Sequence, residues 1–195
     1  MNTPTHMLIG AALFARKDYP SVSAAALVGG LAPDLPLLVM VAYATRIAGI
    51  PQQQVYTTLF FSERWQQVFA IDHSFFVWGA LIAVGIMVHW KAVVAFAGAG
   101  LAHAAVDFLT HHDDARRQLW PVSDWVFKSP VSYWDQAYYG GLVAPSEAVL
   151  VVVLTFILLR RLDKWRERIP ILAVAALLLA PIILTGGFHG LHGVG

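Results

Sequence analysis

The stretch AVVAFAGAGLAHAAVDFLT, residues 92–110, carries no charged side chain until Asp107. About 20 apolar residues in a helix cross the roughly 30 Å hydrocarbon core of a bilayer, so this stretch predicts a transmembrane helix. A charged side chain in the middle of such a helix costs about 2.5–3.5 kcal/mol on insertion scales. Asp107 is therefore expected to have a partner or a purpose.

The rest of the 195-residue chain has the same apolar character. Hydrophobic residues make up 58% and charged residues 13% of it, whereas soluble domains carry about 25% charged residues. The mean hydropathy is +0.63. These values exclude a disordered chain, an ordinary soluble globule and a nucleic-acid-binding surface. They predict one integral membrane domain over residues 1–195, and the net charge of +1 indicates no charged partner.

The predicted fold is an all-α bundle of five to six transmembrane helices. The apolar segments are residues 4–15, 21–44, 74–90, 92–110, 145–159 and 171–187. The first is short, and the second is interrupted by glycines and prolines. Residues 45–72 and 111–144 are polar and aromatic, and they predict two longer loops outside the membrane that could contain short interfacial helices. The last two helices occupy residues 143–195.

The positions of lysine and arginine predict the orientation of the helices. The segment RRLDKWRER, residues 160–168, holds five basic residues between two apolar segments, and such segments are usually cytoplasmic. Counting back along the helices puts Lys91 and the Arg16-Lys17 pair on the same side. The two longer loops are then extracytoplasmic.

The absence of cysteine limits any metal site to histidine, aspartate, glutamate and water. Five such residues lie near the predicted outer ends of four separate helices: His6, Asp34, His73, His103 and Asp107. We expect them to converge at one depth in the membrane. Three imidazoles and two carboxylates without thiolates fit Zn²⁺, with Mn²⁺ or Fe²⁺ as alternatives, and leave room for one or two ions.

Residues 101–114, LAHAAVDFLTHHDD, give the strongest local pattern. His103, Asp107 and His111 are spaced i, i+4 and i+8, so they share one face if the helix continues. An imidazole and a carboxylate one turn apart can bind one divalent ion. The alternative is a packing pair in which His103 hydrogen-bonds to Asp107 inside the bundle.

Two of the other candidates also have alternatives. Asp34 lies between Pro33 and Pro36, which break the helix, so it is a metal ligand, the cap of the next helix, or both. His73 is either a ligand or an interfacial residue beside a helix cap formed by Asp72 or Ser74.

The loop residues that follow supply candidates for catalysis and substrate binding. Asp72, Asp113 and Asp114 are candidate general bases. Arg116 and Arg117 either bind an anionic phosphate or belong to a solvated loop.

The order of these motifs resembles that of the YdjM-like family of bacterial inner-membrane proteins. The matching motifs are Thr5-His6, Gly29-Gly30 before Pro33-Asp34, His73-Ser74, His103 with Asp107, and Leu119-Trp120-Pro121. They cover roughly residues 3–123. Members of the family are described as predicted membrane-bound metal-dependent hydrolases, distantly similar to zinc-dependent phospholipase C. The resemblance implies His6, Asp34, His73, His103 and Asp107 as metal ligands.

The sequence departs from that family at two places. The family often has a second acid two residues after the one at Asp34, where this chain has Pro36. It also often has Arg-Gly-Thr ahead of its His-Ser motif, where this chain has Ile71-Asp72. Loss of the second acid removes a possible ligand, which Asp72 or Asp113 could replace.

Together, the residues and the resemblance predict a multi-pass hydrolase of the bacterial inner membrane. A metal-activated water would attack a lipid or lipid-linked phosphoester at the outer interface, with membrane lipids as the other partners. One alternative is a metal- or proton-coupled transporter that uses the same histidine and aspartate cluster. Another is a membrane protein whose metal only stabilises helix packing.

Overall fold

The computed structural model describes residues 1–185, and over these residues the chain is helical and forms no β-strand. The α-helices are α1 Thr3–Phe14, α2 Pro20–Leu31, α3 Leu35–Ala42, α4 Gln52–Gln54, α5 Glu63–Asp72, α6 Phe75–Met87, α7 Lys91–Thr110, α8 Gly140–Arg161 and α9 Trp165–Thr185. The predicted all-α class is therefore confirmed. The end of the last predicted segment, and the histidines His189 and His192 beyond it, lie outside the described residues.

Four helical stretches in the described part of the chain are long and apolar enough to cross a membrane. They are Glu63–Met87, which joins α5 and α6, together with α7, α8 and Trp165–Leu184 in α9. The pair Pro20–Leu31 and Leu35–Ile47, bent by 56°, gives a fifth if it counts as one span. Helix α1 has 12 residues and covers about 18 Å, less than the hydrocarbon core.

The bend between α2 and α3 is the interrupted segment that the sequence predicts. Pro33 and Pro36 each lack the amide hydrogen that a continuous helix needs, so the backbone ladder breaks between them. Asp34 lies at the bend.

The segment predicted as the first outer loop contains more helix than expected. Helix α5, Glu63–Asp72, lies within the predicted loop 45–72 and leads into α6 across a short break at His73 and Ser74. The third span therefore begins at Glu63, 11 residues before the predicted start at residue 74. The hydropathy pattern does not reveal this part because the first turns of α5 are polar.

Helix α1 lies at the centre of the described bundle, in contact with α2, α7, α8 and α9. Glycines allow the backbones to approach closely. A Cβ atom on Gly30 would lie 2.5 Å from the carbonyl oxygen of His6, and one on Gly29 would lie 2.1 Å from that of Phe96. The Gly29-Gly30 pair thus lets α2 pack closely against α1 and α7. This packing places His6 and His103 beside the end of α2, next to the bend between α2 and α3.

The packing predicts that Gly30→Ala destabilises the protein. The added methyl group meets the α1 backbone, which cannot rotate away, and overpacking of this kind costs about 1–3 kcal/mol. Gly79→Ala is the matched control, because its Cβ would meet nothing within 4 Å. Thermal unfolding in detergent should show a lower midpoint for Gly30→Ala and an unchanged or higher one for Gly79→Ala. Equal midpoints would contradict the close contact.

Candidate metal centre

The carboxylate of Asp107, on α7, is the centre of the cluster. It is 2% exposed, and the Nε2 atoms of four histidines lie 2.9–3.4 Å from its oxygens. The four are His6 on α1, His73 between α5 and α6, His103 on α7 and His111 just after α7. Side chains separated by up to 105 positions of sequence thus meet around one carboxylate.

Four residues offer ligand atoms to a single ion. The offered atoms of Asp34, His73, His103 and Asp107 all lie within 4.8 Å of one another. Two carboxylates match the charge of a divalent cation, and imidazole and carboxylate are ligands that zinc, manganese and iron accept. The predicted convergence of these four residues is what the structure shows.

The side chain of Asp34 faces this cluster. Its Oδ1 lies 3.6 Å from Nε2 of His103, and its Oδ2 accepts a hydrogen bond from the hydroxyl of Thr3 at 2.6 Å. It makes no side-chain hydrogen bond that caps α3. The alternative interpretation of Asp34 as a helix cap is therefore wrong.

Two of the histidines are held in the orientation typical of metal ligands. His73 donates from Nδ1 to Oδ1 of Asp72 at 2.5 Å, and His103 donates from Nδ1 to the Gly30 carbonyl at 2.7 Å. Each Nε2 lone pair is then free to face Asp107. Metal-binding histidines usually donate their second nitrogen to a carboxylate or carbonyl in this way. Nε2 of His73 has no hydrogen-bond partner among the described residues.

Two alternatives from the sequence hold in part. One is a packing pair of His103 with Asp107, and the other is a helix cap beside His73. Nε2 of His103 lies within 3.1 Å of Asp107, as a packing pair requires. Ser74 caps α6 by accepting from the amides of Phe76 and Val77. The Ser74 cap leaves Nε2 of His73 free to bind a metal ion. A hydrogen bond from His103 to Asp107 instead uses Nε2 of His103, the nitrogen that a metal ion would take.

His111 reaches the cluster although α7 ends before it. The sequence pattern assumes that the helix continues, but α7 stops at Thr110 and His111 is extended. Its Nε2 still lies 3.1 Å from Asp107. The carbonyl of His111 accepts from the amide of Ser129, and the ring of Tyr133 packs 4.9 Å from the imidazole, so the following loop fixes its position.

The three candidate bases occupy different places. Asp72 holds His73, and Asp114 lies 2.8 Å from Nδ1 of His111. Burial works against the charged form of Asp114, but neighbouring His111 and Arg116 outweigh it, so its pKa is below the ordinary value. Asp113 is instead exposed and pairs with Lys128 at 3.2 Å.

The two arginines also differ. Arg116 is 3% exposed, and its guanidinium lies over the rings of Phe69 and Phe60 at 4.5 and 4.7 Å. Its interpretation as part of a solvated loop is therefore wrong. Arg117 forms ion pairs with Glu63 at 3.1 Å and Asp124 at 3.4 Å. Phosphate binding by either arginine stays a prediction.

Glu147 on α8 has a role that the sequence did not predict. Its carboxylate is 2% exposed and accepts hydrogen bonds from the Asn2 amide, the Asn2 side chain and the Thr5 hydroxyl at 2.5–2.9 Å. These bonds attach the start of α1, and with it His6, to α8. The available signal was a single acid inside an apolar segment, the same signal that singled out Asp107.

The cluster lies at one end of the bundle. His103 and Asp107 are about 18 and 24 Å along α7 from Lys91. At the far end, Lys17 in the α1–α2 turn pairs with Asp163 in the α8–α9 turn at 3.3 Å. The basic turns thus share the end opposite the cluster.

No family model, curated protein or solved structure matches the chain. The resemblance to the YdjM-like family stays a prediction, and the case for function depends on the geometry of the cluster.

The cluster predicts stabilisation by a divalent cation. An ion at one hundred times its Kd, bound only by the folded protein, adds about 2.7 kcal/mol to the free energy of unfolding. Zn²⁺ should therefore raise the unfolding midpoint of the wild type, and a chelator should reverse it. His103→Ala and Asp107→Ala should lose the response.

His89→Ala is the control, since His89 is an exposed histidine at the opposite end of α7. An equal zinc response in all four proteins would place the binding site elsewhere.

Proposed function

We propose that this protein is a metal-dependent hydrolase embedded in the membrane, acting on a lipid or lipid-linked phosphoester. The observation that carries the proposal is the group Asp34, His73, His103 and Asp107, of which Asp34 is partly buried and the other three are buried. Their ligand atoms lie within 4.8 Å of one another. The proposed ion is Zn²⁺, with Mn²⁺ or Fe²⁺ as alternatives.

A divalent ion bound there would lower the pKa of its water toward about 7 and polarise a phosphoryl oxygen. The chain offers two groups to take the proton of the attacking water. Asp72 and Asp114 each hold a histidine with one oxygen, and the other oxygen, Oδ2 of Asp72 and Oδ1 of Asp114, has no hydrogen-bond partner among the described residues. Hydrolysis would form a bond from the water oxygen to phosphorus and break the bond from phosphorus to the ester oxygen. The proton taken from the water would pass to that ester oxygen, which leaves as an alcohol.

The surroundings of Asp34 favour a lipid substrate. Asp34 directly precedes α3, and all eight residues of α3 are partly or fully exposed. They are apolar, and Leu35, Leu38 and Val39 present large side chains outward. A substrate with acyl or isoprenoid chains can lie along α3 with its phosphate at the metal. A soluble substrate would gain nothing from this apolar surface.

The proposed location is the bacterial inner membrane, with the cluster toward the extracytoplasmic side. The basic turns lie at the end of the bundle opposite the cluster, as the Lys17–Asp163 pair indicates. Basic turns are retained in the cytoplasm, which favours an outward-facing cluster.

Single cysteines test the orientation, because the chain has none of its own. Val122 lies in the loop after α7 on the cluster side, and Lys164 lies in the α8–α9 turn; both are exposed. In intact cells, a membrane-impermeant maleimide should label Val122→Cys but not Lys164→Cys, and lysis should make both reactive. The reverse pattern would turn the cluster toward the cytoplasm.

Turnover by the purified protein tests the activity. Zinc-loaded wild type should release product from phospholipid or isoprenoid-phosphate micelles. Asp107→Ala should lose at least 100-fold in rate, because removal of the central carboxylate disrupts the metal site, whereas His89→Ala should retain full activity. Metal-loaded protein without product would contradict the proposal. Metal-dependent flux into liposomes without product would favour the transporter instead.

A further inference from the structure

The nitrogens around Asp107 divide into two sets, one at each carboxylate oxygen. Oδ2 has Nε2 of His103 at 3.1 Å and Nε2 of His73 at 3.4 Å. Oδ1 has Nε2 of His6 at 2.9 Å and Nε2 of His111 at 3.1 Å. The Met1 nitrogen also lies 2.9 Å from Oδ1. The four-residue group described above does not include His6 or His111. The Met1 ammonium donates to Oδ1, and Nε2 of His6 also lies 3.2 Å from the Met1 carbonyl oxygen.

We propose that the centre binds two divalent cations bridged by Asp107, with His6 and His111 as ligands of the second ion. The inference rests on the proposed metal site and extends it. The first ion would have four protein ligands. The second would have three, which leaves a position open for water or substrate, as in catalytic zinc sites.

The stacking of His6 on His103 sets the spacing of the two positions. The two rings lie 3.7 Å apart between centroids and are within 14° of parallel. Both turn Nε2 toward Asp107, one to each oxygen. Ions in two-metal hydrolytic sites lie about 3.5–4 Å apart. Parallel imidazoles at this distance place one ligand nitrogen at each of two adjacent ions.

His111 is the second, independent observation. It is 4% exposed. Asp114 lies 2.8 Å from its Nδ1 and Asp107 lies 3.1 Å from its Nε2, but among the described residues neither nitrogen has a partner in good hydrogen-bond geometry. Its Nε2 lies within hydrogen-bond distance of Oδ1 of Asp107, but the contact does not have hydrogen-bond geometry. The ring nitrogen therefore points beside that oxygen and not directly at it. A buried polar atom that lacks a well-aligned partner is destabilising. A cation next to Oδ1 would satisfy this nitrogen.

Metal content and electron paramagnetic resonance of the Mn²⁺-loaded protein test the inference. The wild type should bind two Mn²⁺ per chain and give the spectrum of an exchange-coupled pair. His111→Ala should bind one and give the six-line spectrum of an isolated ion. His111→Gln keeps more of the side-chain volume and should give the same result if the alanine variant fails to fold.

His112→Ala is the matched control, because the neighbouring His112 donates to the Ser129 carbonyl and stacks on Tyr138 instead of facing Asp107. It should keep two coupled ions. One ion in the wild type, or a coupled pair in His111→Ala, would overturn the second site. Absence of any bound metal would defeat the proposed function as well, whereas two coupled ions without hydrolysis would defeat only the hydrolase.

Discussion

A carboxylate buried on a membrane-spanning helix must be matched by donors or cations, and this requirement at Asp107 organises one end of the bundle. Transfer of an unpaired carboxylate into an apolar interior is prohibitively costly. Here four imidazoles surround it, and two further carboxylates, Asp72 and Asp114, lie beside two of those imidazoles. Several of these atoms, among them Nε2 of His73 and Oδ2 of Asp72, have no hydrogen-bond partner among the described residues, and a metal ion would supply a partner for the histidine nitrogen.

The helix packing serves this arrangement. Helix α1 is too short to span the bilayer, yet it lies against four other helices. Gly30 on α2 lets the backbones of α2 and α1 touch. Glu147 then fixes the start of α1 from the side of α8. His6 is thereby held against His103, so contacts away from the cluster determine its geometry.

Much of this could be predicted from the sequence. Apolar length predicts the spanning helices, and a histidine and an aspartate inside an apolar stretch predict a shared site. His103 and Asp107 needed only helical periodicity, and Asp34 only the proline-broken segment.

The remainder depends on tertiary contacts that a local pattern does not contain. Arg116 is buried against aromatic rings from a distant segment, and Glu147 bonds to the first residues of the chain. Helix α7 ends at Thr110, whose carbonyl accepts from the amide of distant Tyr133. Helix α5 was missed because its first turns are polar, so hydropathy alone starts this membrane helix too late.

Anomalous diffraction from crystals grown with Zn²⁺ tests the central claim most directly. The account predicts an anomalous peak at the zinc edge about 2.0–2.2 Å from Nε2 of His73 and His103 and from oxygens of Asp34 and Asp107. Zinc-treated crystals in which these side chains only hydrogen-bond to one another, with no peak between them, would contradict it.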